Sequence, residues 1–163
     1  PGLNHVAPGI RKIIFNQNAY HSFRGYSLEA GELPPYGRPD YVAVLVVSED
    51  NKTYLESCFP GLTCQRIHIS FEQSQFRCEF LAAKRRRICF MTRKNPADVL
   101  QVVSALRARA SLTDWEFCPI EGRSSAEVAD IMAGSAVYMS FGYPEGISLS
   151  NLEAMAEIGR AHV

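Results

Sequence analysis

The chain lacks any apolar stretch approaching the roughly 20 residues that cross a bilayer, and no basic-then-apolar leader opens it. It begins at Pro1 and not at Met, so more chain is expected upstream. It lacks net charge, with 17 Lys plus Arg against 17 Asp plus Glu. That removes the electrostatic reason to expect a nucleic-acid partner. Metal-ligand patterns are missing as well. None of His5, His21, His68 and His162 stands at ligand spacing from another His or from a Cys, and no metal is expected. The five cysteines, at 58, 64, 78, 89 and 118, are odd in number and form no Cys-x-x-Cys. A reducing, cytoplasmic setting without a disulfide framework is expected. The Gly-rich dinucleotide fingerprint is absent near every strand end, which argues against an epimerase-type dinucleotide enzyme.

What is present is enough for one sizeable core: 163 residues, 47% of them hydrophobic and 21% charged. The one basic cluster is Lys84-Arg85-Arg86-Arg87. Its plain reading is a solvated turn leading into a strand. The sharper reading is contact with anionic lipid or an acidic substrate, a peripheral membrane contact at the inner face of the plasma membrane.

Alternation of elements gives the fold class. Ile13-Ile14-Phe15 reads as a strand ending in Asn16-Gln17-Asn18. Residues 24–40, with three Gly and three Pro, read as a loop. The apolar run from Tyr41 to Val47 suits a strand buried on both faces, closed by Ser48-Glu49-Asp50-Asn51. A short helix is expected from Lys52 to Phe59, stopped by Pro60-Gly61, and another short strand at Arg66 to Ile69. Residues 71–83 are taken as an interdomain connection containing a short helix. Three strand–helix pairs follow. Ile88 to Met91 is a strand, and Asn95-Pro96 caps a helix carrying Val99, Val102, Val103, Leu106 and Ala110. Trp115 to Cys118 is a strand, and Ser124 with Glu127 forms a capping box before Val128, Ile131 and Met132. Ala136 to Phe141 is the third strand, followed by the loop Gly142 to Gly146 and a helix that Ser148 or Ser150 caps. Such alternation predicts an α/β fold with parallel sheets, and ligands beyond the carboxyl ends of the strands.

Two loops therefore matter most. Gly142 and Gly146 allow close backbone approach or positive φ. The N–H groups of Ser148, Leu149 and Ser150 at a helix start make a site for phosphate. Glu145 and Glu153 flank that start, and a carboxylate can accept hydrogen bonds from sugar hydroxyls. The plain alternative makes Glu145 a solvated loop acid and Glu153 a helix-stabilising third residue. Arg93-Lys94, after the first of these strands, can brace a departing diphosphate, or can simply face solvent.

The segment Phe141-Gly142-Tyr143-Pro144-Glu145-Gly146-Ile147-Ser148-Leu149-Ser150-Asn151-Leu152-Glu153-Ala154-Met155-Ala156 resembles the signature of GT-B-fold retaining glycosyltransferases of the glycosyl transferases group 1 type: two glutamates separated by seven residues, then Ala-Met-Ala. Ser124 to Ser140 looks like the helix and strand that precede it in that family, and Ile88 to Val103 like the first strand and helix of the same C-terminal domain. Ile14 to Tyr20 resembles the late part of the acceptor-side domain in a bacterial polysaccharide branch. The resemblance covers most of residues 10–157. It implies two Rossmann-like parallel-sheet domains, and transfer of a hexosyl or deoxyhexosyl group from a nucleotide-diphosphate sugar to a saccharide or lipid-linked acceptor with retention. Glu145 would contact the donor sugar and Glu153 the ribose. Gly146, Ile147, Ser148 and Leu149 would hold phosphate with help from Arg93 and Lys94. No cofactor and no metal are implied. In many relatives the two cations lie several residues apart; here they are adjacent, and Arg93 is expected to clamp charge with Lys94 as its partner. Asn16, Gln17, Asn18 and Tyr20 would face the cleft without a chemical step.

The resemblance divides the chain into the end of an acceptor-side domain (1–70), the connection (71–83) and the first half of a nucleotide-sugar domain (84–157). Both domains are expected to be incomplete. Residues 158–163 read as a translation of sequencing-library adapter DNA and are expected to be a non-native tail. A non-catalytic carbohydrate-binding relative of the same fold is the alternative.

Overall fold

The computed structural model describes residues 7–27, 29, 31–72, 74–76 and 84–158. The chain forms two units, residues 1–70 with Pro144–Ile147, and residues 71–143 with 148–163. It is an α/β fold with two small parallel sheets flanked by helices. Most of the 71–83 connection, including any helix in it, and residues 159–163 of the expected tail lie outside the described residues; Ile158 ends the last helix. None of the described helices is long and apolar enough to cross a membrane.

The first unit holds strands β1 (Lys12–Asn16) and β2 (Tyr41–Val46), helix α1 (Glu49–Cys58) and strand β3 (Cys64–Arg66), in the sheet order β1-β2-β3, all parallel. Alternation along each strand sends Ile14, Val44 and Val46 into a core with Ala19, Leu55 and Cys64. The β2 run is therefore not buried on both faces. Ala43 and Leu45 are only half-buried and Ile13 and Phe15 are 60% and 47% exposed, because among the described residues α1 is the only α-helix of this unit, and it packs on the face that holds Val44 and Val46. Helix α1 also starts three residues before the expected Lys52. Ser48 Oγ accepts from the Asn51 N–H at 3.1 Å, so Ser48 is an N-cap and Glu49 and Asp50 form the acidic first turn. Strand β3 lies at Cys64–Arg66 and not at residues 66–69: it is anchored where the Cys64 N–H donates to Glu56 Oε1 at 2.9 Å.

In the second unit, β4 (Arg85–Met91), α2 (Pro96–Arg107), β5 (Glu116–Ile120), α3 (Ser125–Ala133), β6 (Ser135–Met139) and α4 (Leu149–Ile158) build a parallel sheet of order β5-β4-β6. Helices cover both faces. Phe90 packs with Val99, Val103 and Phe141 on the α2 side, while Cys89 packs with Ile120, Ala129, Met132 and Ala154 on the side of α3 and α4. Phe76 joins that second cluster and meets Phe71 edge to face at 6.0 Å. The capping box at the start of α3 is present, with the Ser124 N–H donating to Glu127 Oε2 at 2.8 Å. The basic run is not a solvated turn. Arg85, Arg86 and Arg87 are strand residues; Arg87 pairs with Glu116 at 2.7 Å and Arg86 with Asp114. Lys84 Nζ donates to the carbonyls of Ala133 at 2.6 Å and Glu157 at 2.9 Å, the C-terminal ends of α3 and α4. Lys84, Arg86 and Arg87 thus meet helix ends, the turn before β5 and β5 itself.

Candidate functional site

Strand order decides where a ligand can sit in the second unit. The chain leaves β4 toward α2 on one face of the sheet and leaves the adjacent strand β6 toward α4 on the other. Two neighbouring parallel strands whose continuations diverge in this way leave a crevice between them at the carboxyl edge, the general ligand position of such sheets. The loop after β4 carries Arg93 and Lys94, both exposed. The loop after β6 runs from Ser140 to Ser148 and delivers the chain to α4.

Asn95 ties the two lips together. Its Nδ2 donates to the carbonyls of Phe141 at 2.8 Å and Tyr143 at 2.9 Å. It stands at the N-cap position of α2 with a left-handed backbone (φ 48°, ψ 54°), and its side chain does not cap the helix as the Asn-Pro pair predicts. A left-handed backbone is tolerated by Asn better than by most residues, and it aims the carboxamide at the opposite loop. Tyr143 OH donates to Asp98 in the first turn of α2, a second tie between the same two loops. That bond raises the Tyr143 pKa.

Helix α4 opens at Leu149, with Ser148 before it. The N–H groups of Asn151 and Leu152 reach the Ser148 carbonyl at 3.2 Å. Those of Leu149 and Ser150 lie in the first turn, where a helix supplies no internal acceptor. The Ser148 and Ser150 hydroxyls bond each other at 2.9 Å. Glu153 is the fifth helical residue and not the third, so it lies beyond the capping-box position. It is half-buried, and that desolvation raises its carboxyl pKa.

Glu145, Gly146 and Ile147 fall in the first unit and are each half-buried. Neither Gly142 nor Gly146 has positive φ. Gly146 is instead a close-approach glycine: a Cβ there would lie 2.3 Å from Asn51 Oδ1. Asn18 Nδ2 donates to the Pro144 carbonyl at 2.8 Å, and Tyr20 OH to Asp50 Oδ2 at 2.8 Å. Asn16 Nδ2 donates to Tyr36 OH at 2.6 Å and Ser22 Oγ at 3.0 Å. Asn16 and Asn18 thus serve structural bonds at the end of β1.

The second unit therefore gathers Arg93, Lys94, Ser148 and Leu149 at one sheet edge, with Glu153 one turn into α4. The first unit holds Glu145, Gly146 and Ile147. Residue patterns missed Asn51 and the tethering role of Asn95. The only signal available was an Asn or Asn-containing loop after each of β1, β2 and β4, which composition alone reads as turn chemistry. Among the described residues no group of three or more His, Cys, Asp and Glu is gathered closely enough to hold a metal ion. No family model matches the chain, and no curated protein matches it in sequence.

Proposed function

We propose that the chain is the nucleotide-sugar-binding part of a retaining glycosyltransferase with two Rossmann-like domains of the GT-B type, acting on a nucleotide-diphosphate sugar and a saccharide or lipid-linked acceptor in surface polysaccharide synthesis. The observation that carries the reading is the strand order β5-β4-β6, which sets the loops after β4 and β6 side by side, with Arg93-Lys94 in the first and the first turn of α4 following the second. A diphosphate there meets unsatisfied backbone N–H groups, the positive end of the α4 dipole and two cations. Charge grows on that diphosphate as the sugar leaves, so groups placed there stabilise the transition state more than the ground state. Glu153 accepts from ribose hydroxyls and Glu145 from hydroxyls of the transferred sugar. The resemblance of the Glu145 to Ala156 block to the family signature supports those two assignments. No protein nucleophile is needed if the leaving phosphate assists the incoming hydroxyl on the same face.

Titrating UDP, GDP and dTDP, and the matching nucleosides, onto the chain by calorimetry tests the reading. One nucleotide is expected to bind, and Arg93→Ala is expected to weaken the diphosphate while sparing the nucleoside. If none of the three binds, or if Arg93→Ala and Glu153→Ala leave the affinities alone, the reading is wrong.

A further inference from the structure

One buried polar side chain in the first unit has no role in what precedes. Asn51, the third residue of α1, is 0% exposed, yet neither its Oδ1 nor its Nδ2 has a hydrogen-bond partner among the described residues. Its backbone N–H is committed to the Ser48 cap, so the helix start sets where the side chain points. The carboxamide lies against Gly146: a Cβ on residue 146 would sit 2.3 Å from Oδ1, 2.4 Å from Nδ2 and 2.5 Å from Cγ. Two residues earlier in the same loop, the Pro144 carbonyl accepts from Asn18.

Buried carboxamides are nearly always paired, and leaving one unpaired is strongly unfavourable. An apolar side chain of the same size would fill this space without that penalty. A carboxamide presents one acceptor and one donor in a plane, the pattern complementary to a peptide group. The backbone that this one touches is that of Gly146, and only a residue without Cβ allows the approach.

We propose that Asn51 is a positioning residue: its buried carboxamide, lying against Gly146, seats the backbone that carries Glu145. The functional weight of this rests on the reading of Glu145 as the group that contacts the donor sugar; the contact itself does not.

Residue-resolved hydrogen exchange on the full chain tests this, comparing wild type with Asn51→Leu and Gly146→Ala. Asn51→Leu keeps the branching at Cγ and removes both polar atoms. It is expected to leave the melting temperature unchanged or raised while the amides of Glu145, Gly146 and Ile147 exchange several-fold faster. Gly146→Ala is expected to speed the same amides, and to do so less in an Asn51→Ala background, where the smaller side chain makes room for the methyl group. Unchanged exchange at 145–147 in Asn51→Leu overturns the proposal. So does strict additivity of the two substitutions, or a loss of protection confined to α1, which is what a purely structural Asn51 would give. Adding UDP, GDP or dTDP separates the two readings. If none binds while exchange behaves as expected, the donor reading falls and the Asn51 seat stands. If one binds wild type and Asn51→Leu alike with exchange unaltered, the seat falls and the donor reading stands.

Discussion

Glu153 shows how one residue's environment carries the functional reading. Half-burial raises its carboxyl pKa, so without ligand the fold favours the protonated form. Stability from this group is therefore fully present below the ordinary glutamate range and is lost as pH rises through the raised pKa. Hydroxyls that donate to the carboxylate favour the ionised form and pull the pKa back down. Nucleotide affinity is then expected to climb as pH rises through the raised pKa and to level off above it, whereas an ordinary glutamate would complete that climb near about pH 4.3. Glu153→Gln is expected to flatten this limb and to weaken binding roughly tenfold or more, since hydrogen bonds to a charged group contribute about 1.5–3 kcal/mol. Calorimetry over the acid range reads both. The spacing of Glu145 and Glu153 was legible in the sequence. The half-burial of Glu153 was not, because it depends on how α4 lies on the second sheet.

Local chemistry decides the elements unevenly. The Ser124 and Glu127 pair forms its capping box as predicted, since all its bonds lie within four residues. Ser124→Ala is expected to lower stability by about 1 kcal/mol, read as a lower melting temperature of the second unit. Ser124 bonds hold the Glu127 pKa below its usual value. That contribution is present at neutral pH and lost as pH falls through the depressed pKa, so the gap between variant and wild type is expected to narrow in acid. Asn95 is the contrary case. Asn-Pro before a helical pattern reads as a cap, but its φ of 48° turns the side chain away from the helix and onto the β6 loop. Asn95→Gly keeps the left-handed backbone and loses the tether, while Asn95→Ala loses both. Alanine is therefore expected to destabilise more than glycine in denaturant titration, and both are expected to weaken nucleotide binding.

At the scale of the molecule, the two sheets differ in how they are covered. The second carries helices on both faces, whereas the first shows Ile13 and Phe15 on a face without a helix among the described residues. An apolar sheet face open to water favours association with other chains. Ile13→Lys with Phe15→Lys is expected to reduce self-association in sedimentation velocity while leaving helix content by circular dichroism in place. Unchanged association would show that this face is not what draws chains together.

Short-range information was enough to place most of the helices and strands, the capping box at Ser124 and the two loops after β4 and β6, because apolar period and turn chemistry act within a few residues. Only the tertiary structure decided that β4 lies between β5 and β6, which sets those loops side by side, that Asn51 lies against Gly146, 95 residues away, and that Lys84, Arg86 and Arg87 meet helix ends and acids at or before β5. Strand order and burial arise from contacts between segments far apart in the chain, and no local pattern encodes which segments will meet.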